Sequence, residues 1–464
     1  MAVRSALRFL WPFGRRDSSE EEESYLPIMA TAVRQRDLQS VGKVRADFPM
    51  FRASALDRPQ DRRREERREI SRARFALTTY FTPTQPVSDR GSFAGRLDVL
   101  ARLISAIESQ RSHIVLHGER GIGKTSMMHV LTDIARESSY IVSYATCGAN
   151  ANFPDLFRAL LQDVPLRFHR DVPPNADEAE SGASFADRLP KGAFDSGELA
   201  DLCADITGTR VLIFLDEYDR VTDTGFRQQV AELIKNLSDR SARVQLVIAG
   251  VASNLQELIG YVPSIRRNVI GFPMPRLGEA EVREMIALGE EGTGVRFDPD
   301  LAHIIHLLAL GSPYLARLLC HHSALEALDQ GRLSVSLSHL RRGLDQVILE
   351  LEGRMTPRTV AEMQKFVGGR YDPLVAALGE ASRSVDGWFD GESVVALLPN
   401  VSISPQQVEQ ELVSLKAQLG LESDVQDGER RFRFTDDALP IYLWLMVGRL
   451  RLDSGSLEEV LATA

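Results

Sequence analysis

Gly118, Gly121, Gly123, Lys124 and Thr125 are the residues of this 464-residue chain whose types and spacing most directly imply chemistry. They lie in the stretch SHIVLHGERGIGKTS, a β-branched run that stops at a glycine-rich loop and continues as a helix. Glycines leave room for successive backbone N–H groups to turn toward a phosphate, and the helix that follows aims its positive end at the same point. The pattern G-x-x-x-x-G-K-[ST] is complete. Gly118, Glu119, Arg120, Gly121, Ile122, Gly123, Lys124, Thr125 and Ser126 are therefore expected to form a phosphate-binding loop. In such a loop Lys124 reaches the β- and γ-phosphates and the Thr125 hydroxyl is placed to ligate Mg²⁺.

A second constellation follows in RVLIFLDEYDR, where the apolar run Val211 to Leu215 ends in Asp216 and Glu217. Five consecutive apolar residues suit a strand buried on both faces, and ligands bind at the carboxyl ends of such strands. Behind a complete phosphate loop, Asp216 is expected to hold a Mg²⁺-bound water and Glu217 to polarise an attacking one.

These residues need a scaffold, and periodicity supplies it. Strands are expected at Ile114–Leu116, Tyr140–Thr146, Val211–Leu215, Val244–Ala249 and Val269–Phe272. Helices are expected at Met127–Ile134 and Phe153–Leu161, and as an amphipathic stripe through Phe226, Val230, Leu233, Ile234 and Leu237. Residues 165–194 are polar and aperiodic, and read as an exposed insertion. After Pro275 the text turns helical, at Ala280–Leu288, Leu301–Leu310, Pro313–Leu328 and Val335–Leu351. Further helices and a hairpin around Asp427-Gly428 close the chain, the order found in a winged helix.

The length suits about three domains, and 44% apolar with 26% charged residues is ordinary for a globular protein. A net charge of −10 argues against a surface built throughout for nucleic acid. Cys147, Cys203 and Cys320 are far apart, without metal spacing or a pairing framework, which suits a reducing cytoplasm. Cys320-His321-His322 does not make a zinc site, since one thiol and two divergent histidines cannot close it. No apolar run reaches membrane-spanning length, and the interrupted ALRFLWPF near the N-terminus reads as a tail. Asp57–Arg74 reads as a solvated, charge-laced helix, with a basic arm as the sharper alternative.

Phe93-Ala94-Gly95-Arg96, the helix after it and HGERGIGKTS together resemble the ATPase core of AAA+ proteins of the origin-recognition-like group and of the STAND signalling ATPases. The resemblance implies ATP with Mg²⁺, and a base held by Phe93, Gly95 and Arg96. It places a γ-phosphate sensor just after the fourth strand. That strand ends in Ala249-Gly250 here, so the role passes to Asn254, while Ser253 suits a helix cap. Arg266 and Arg267 stand where related ATPases present an arginine to a neighbouring subunit, or are simply solvated. Pro313, in Gly311-Ser312-Pro313, matches the lid motif of the STAND group, and Arg317 is the nearest arginine on that helix.

The expected fold class is thus α/β. A charged N-terminal region (1–75) precedes a P-loop NTPase core with a parallel sheet flanked by helices (76–275), an α-helical lid (276–352) and a winged-helix-like domain (353–464). Two functions fit: an ATP-hydrolysing switch that acts on a protein partner or on copies of itself, and an ATPase that binds duplex DNA through its winged helix. From Arg354 onward 11 Lys and Arg stand against 17 Asp and Glu, and the helix Ser404–Leu419 offers only Lys416 against Glu409 and Glu411. Phosphate contact needs cations, so protein contact is favoured over DNA.

Overall fold

The computed structural model describes residues 62–82, 85–87, 90–172, 182–260, 265–369, 371–398, 403–426 and 428–454. The chain divides into Met1–Gln60 and Asp61–Ala464, and the architecture below is that of the second unit. The N-terminal tail lies outside the described residues, as do the first residues of the charged stretch.

Five parallel strands form the central sheet: β1 (His113–Gly118), β2 (Ile141–Thr146), β3 (Val211–Asp216), β4 (Val244–Val251) and β5 (Val269–Pro273), in the order β2-β3-β4-β1-β5. Alternation along each strand assigns its residues to two apolar layers. Ile114, Leu116, Leu212, Phe214, Val247 and Ala249 pack with Val99 and Leu103 of helix α2 (Leu97–Glu108) and with Met127 and Leu131 of α3 (Lys124–Glu137). Val115, Ile213, Leu215, Leu246 and Ile248 face the other way, onto α4 (Phe153–Leu161), α5 (Ser196–Ala204) and α6 (Thr224–Asp239). Burial on both faces is why Ile114–Leu116 of β1 and Val211–Leu215 of β3 read as apolar runs. The short α7 (Leu255–Ile259) follows β4.

Residues 165–194 differ from the exposed insertion expected from the sequence. Among the described ones, Leu166, Phe185, Leu189 and Phe194 are buried in the same layer as α4 and α5, and Pro165 bridges Ser184. Isolated apolar anchors between prolines and aspartates carry no period, so pattern reading misses them.

Helix α1 (Arg62–Tyr80) runs past the charged stretch, in which Arg68, Glu69, Ser71 and Arg72 are exposed and Ala73 is buried. Its arginine-rich text continues into Ala73, Leu77 and Phe81, which are buried against the helical lid. Leu77 and Phe81 each contribute about 1.5–3 kcal/mol of burial, enough to fix a helix whose earlier turns are nearly all charged. The lid comprises α8 (Glu279–Thr293), α9 (Leu301–Ala309), α10 (Pro313–Asp329) and α11 (Leu337–Glu352), with a two-residue parallel pair, β6 (Arg296–Phe297) and β7 (Ser334–Val335). Phe81 lies over Gly289 of α8, where an added Cβ would come within 1.9 Å of its ring.

The C-terminal module contains α12 (Pro357–Gln364), α13 (Asp372–Ala381), β8 (Phe389–Asp390), α14 (Gly391–Ala396), α15 (Pro405–Leu415), the hairpin of β9 (Leu421–Gln426) and β10 (Glu429–Phe434), and α16 (Ala438–Ser454). Its antiparallel sheet has the order β8-β10-β9. Helix α16 returns to the lid: Trp444 Nε1 donates to Leu308 O at 3.0 Å and the Tyr442 hydroxyl to Glu352 Oε1 at 2.8 Å. One apolar core therefore runs from α1 through the lid into this module. Among the described residues no helix is long and apolar enough to cross a membrane.

Candidate functional site

The phosphate loop links β1 to α3, both buried, so its ends are fixed by core packing. Gly123 stands at φ 91, and a Cβ there would lie 3.0 Å from a guanidinium nitrogen of Arg96. Arg96 itself has φ 88, a left-handed conformation that costs an L-residue roughly 1–2 kcal/mol. Its side chain offsets that cost by donating to Ile122 O within the loop and to Pro275 O, the latter at 2.6 Å. Burial pushes the Arg96 pKa down to about 10, so the group remains a cation beneath the loop.

Lys124 is nearly buried, and its ammonium donates to the loop's own carbonyls, Gly118 O at 2.9 Å and Glu119 O at 2.8 Å. Burial lowers its pKa to about 8, while the charges of Asp219, Asp216 and Glu119 act in the opposite direction. The ammonium is therefore held by the loop's own carbonyls, with carboxylates of the β3 end and of the loop favouring its charged form. The first amides of α3 have no preceding helical carbonyl to bond, and together with the positive φ of Gly121 and Gly123 they make an anion cradle.

At the end of β3, Asp216 is buried and both its oxygens are engaged. Oδ1 accepts from the Glu217 N–H at 2.8 Å and Oδ2 from the Tyr144 hydroxyl at 2.7 Å. Burial and the Asp216 charge raise the Tyr144 pKa, so the phenol keeps its proton and donates. Glu217 has φ 51, and its carboxylate pairs with Arg220 at 2.7 Å. Asp219 Oδ1 accepts from Val251 N at 2.8 Å, tying this turn to the end of β4.

A cleft of about 270 Å³ gathers Phe93, Arg96, Gly121, Gly123, Lys124, Thr125, Ser126, Pro313, Tyr314 and Arg317. Its polar and positive floor suits a nucleotide phosphate chain, and Phe93 and Pro313 offer apolar walls. Ser126 Oγ accepts from Val87 N at 3.1 Å, which fixes the approach segment over the cleft. A larger cavity of about 510 Å³ lies elsewhere, lined by Asn254, Ile259 and Arg266, and lacks the phosphate-loop residues. The smaller cleft is the candidate site, because the lysine, the glycines and the helix start converge there.

Not every residue expected at the site lines that cleft. Gly95 faces the lid: its N–H donates to Glu284 Oε2 at 3.1 Å, and a Cβ would meet Glu281 at 2.8 Å. Asn254, not Ser253, caps α7, with Oδ1 accepting from Gln256 N at 2.9 Å and Nδ2 donating to Glu257 at 3.0 Å. Arg266 and Arg267 are exposed beside that helix. Arg317 is buried and donates to Tyr80 O at 3.1 Å and Ser92 O at 2.7 Å, which engages its guanidinium with backbone.

Glu119 and Arg120 face other elements. Glu119 pairs with Arg276 at 2.9 Å and with Arg383 at 3.7 Å, while Arg276 also reaches Glu380 of α13 at 2.9 Å. Arg120 pairs with Asp437, just before α16, at 3.0 Å. Sequence reading missed Tyr144, Arg220, Arg276 and Arg383. Only Arg220 had a local signal, its i+3 spacing from Glu217. Among the described residues no group of three His, Cys, Asp or Glu could hold a metal ion by itself. Thr125 at the start of α3 and the buried Asp216 at the end of β3 are oxygen donors of the kind Mg²⁺ takes.

Residues 92–248 match the family described as the AAA ATPase domain. No curated protein matches the chain in sequence. Among solved structures, the chain is similar to the Aeropyrum pernix Orc1 protein in complex with DNA, at 16% identity, 81% coverage of this chain, 98% of that one and a TM-score of 0.39. It is also similar to Cdc6p from Pyrobaculum aerophilum, at 15% identity, 82% and 98% coverage and a TM-score of 0.42. The Thermotoga maritima RuvB Holliday junction branch migration motor gives 14%, 76%, 95% and 0.40. With its phosphate loop on β1 and its paired carboxylates at the end of β3, the chain carries a P-loop ATPase domain of the AAA class over residues 92–248.

Proposed function

We propose that the protein is an ATP-hydrolysing switch of the AAA+/STAND kind, in which the phosphate loop reports nucleotide state to the C-terminal module and so controls contact with a protein partner or with further copies of the chain. One observation carries this reading: the side chain of Glu119, inside the loop, is held by Arg276 and Arg383, and Arg276 is shared with Glu380 of the module. Lys124 bonds the carbonyls of Gly118 and Glu119. To reach phosphate, its ammonium must leave them, and that change falls on the residue whose carboxylate holds the module.

In this reading Lys124 and the amides of Gly121 to Ser126 bind phosphate, and Thr125 and Asp216 hold Mg²⁺, which supplies charge neutralisation between the phosphates. Glu217 leaves Arg220 to orient and polarise the attacking water. Phe93 and Pro313 flank the base, and Arg96 and Gly95 shape the loop and the lid contact. Asn254 serves as sensor only by giving up its helix cap. Arg266 or Arg267 completes a neighbour's site.

Duplex DNA is a weaker occupant for the winged-helix-like module. Arg431 and Arg433 on its hairpin pair with Asp386 at 3.0 Å and Glu422 at 2.7 Å, and both lie over Trp388, so these cations are already neutralised.

Hydrogen exchange across α13, with and without ATP and Mg²⁺, tests the switch. Protection of 372–383 is expected to change with nucleotide in the wild type and not in Lys124→Ala. Nucleotide that binds without altering this segment would overturn the coupling. Sizing with ATP, and mixing the double Arg266→Ala, Arg267→Ala variant with Lys124→Ala, tests assembly: recovered hydrolysis supports an arginine acting across subunits.

A further inference from the structure

Asp216 is held unusually completely by the neighbouring strand. Its main-chain oxygen accepts from Cys147 N at 2.8 Å, and its Oδ2 accepts from the Tyr144 hydroxyl at 2.7 Å. With Oδ1 taken by the Glu217 N–H, the carboxylate cannot rotate without losing a bond. The tyrosine ring is itself clamped. It stacks on His129 with centroids 5.1 Å apart and planes 11° apart, and on Phe214 at 6.0 Å and 16°.

His129 belongs to α3, four residues after Thr125, so the two share one face of that helix. The helix that presents the Thr125 hydroxyl therefore also carries the ring that backs Tyr144, and Tyr144 bonds the carboxylate on β3. Thr125 and Asp216 come from different elements, and a divalent cation bound between them requires a fixed separation. The His129–Tyr144–Asp216 chain joins those two elements through one stack and one charge-assisted hydrogen bond.

We infer that Tyr144 is the positioning residue of the divalent-cation site, fixing the Asp216 carboxylate and, through His129, its spacing from Thr125. The inference rests on the ATPase reading above and adds to it a residue outside both sequence motifs. Partners that orient the groups of a metal site through hydrogen bonds typically cost 10–100-fold in metal affinity when removed. Tyr144→Phe keeps the ring and both stacks and deletes only the donor.

The test titrates Mn²⁺, followed by its paramagnetic resonance, into ADP-loaded wild type and Tyr144→Phe. ADP affinity in EDTA and the thermal midpoint without ligand are measured on both. The Mn²⁺ dissociation constant is expected to rise about 10-fold in the variant, with ADP affinity in EDTA unchanged and the thermal midpoint lowered only modestly by the lost hydrogen bond. Equal Mn²⁺ affinity in the two proteins overturns the inference and leaves the ATPase reading standing. A wild type that binds neither ADP nor Mn²⁺ overturns both. A variant with a lowered midpoint and unchanged Mn²⁺ affinity marks Tyr144 as packing alone and also overturns it.

Discussion

The two ends of the phosphate loop are held by different means. At the helix end, Lys124 to Ser126 are fixed by the first turn of α3, by Lys124 bonding Gly118 six residues away, and by Val87 bonding Ser126 from 39 residues away. At the strand end, Glu119 and Arg120 are fixed by Arg276, Arg383 and Asp437, the last of these 317 residues further along the chain. Chemistry is encoded locally, because strand, loop and helix are consecutive. Its link to the rest of the molecule is encoded by pairs that only the tertiary fold brings together.

Lys124→Ala attacks the local end and has the largest expected effect. ATP and Mg²⁺ at about 100 times the dissociation constant stabilise the wild type by about 2.7 kcal/mol, and calorimetry should show most of that shift lost. An undiminished shift would remove the distinction between the two ends. Glu217→Gln separates binding from turnover: hydrolysis should fall about 10²-fold while nucleotide remains bound. Steady-state rates alongside equilibrium binding decide this, and unchanged hydrolysis would move the base elsewhere.

At the other end the effects shrink. Arg276→Ala leaves Glu119 with the more distant Arg383 and deprives Glu380 of its cation, all three groups being half-buried. Denaturant unfolding should register a loss of about 1–2 kcal/mol, between the values for exposed and buried pairs. ATP affinity should stay close to that of the wild type; a collapse would place Arg276 on the nucleotide. Asp437→Asn is the mildest change, because both groups of the Arg120 pair are largely exposed. Stability should move by no more than about 0.5 kcal/mol, and a larger loss would show that this contact does more than its exposure allows.

The same contrast explains what could be read from the chain alone. The five strands, the loop and the Asp216–Glu217 turn announce themselves by period and spacing, since doubly buried strands must be apolar throughout. Tyr144 does not, because its partner is 72 residues away and only the parallel register of β2 against β3 brings the two together. Glu380 lies 104 residues from Arg276. Arg317 is the arginine nearest Pro313 on its helix, but its place beneath Tyr80 and Ser92 depends on how α1 returns to the lid. Gly95 is expected to help hold a base, yet it approaches Glu281 so closely that helix packing alone demands a glycine there. Residues 165–194 read as an exposed insertion because single buried anchors have no rhythm.

Helix α1 has a consequence for how the molecule is made. Leu77 and Phe81 leave the ribosome early, but the lid surface that covers them ends with α10 at Asp329, about 250 residues later, a delay of roughly 12–50 s at ordinary synthesis rates. Until the helix carrying Gly289 emerges, about 200 residues after Phe81, the apolar end of α1 lacks its lid partner, and its cover is complete only with α10, while the parallel sheet between them can already assemble. The arginines and glutamates of its earlier turns keep the waiting segment in water and apart from other nascent chains, so the charge run serves the period before folding is complete.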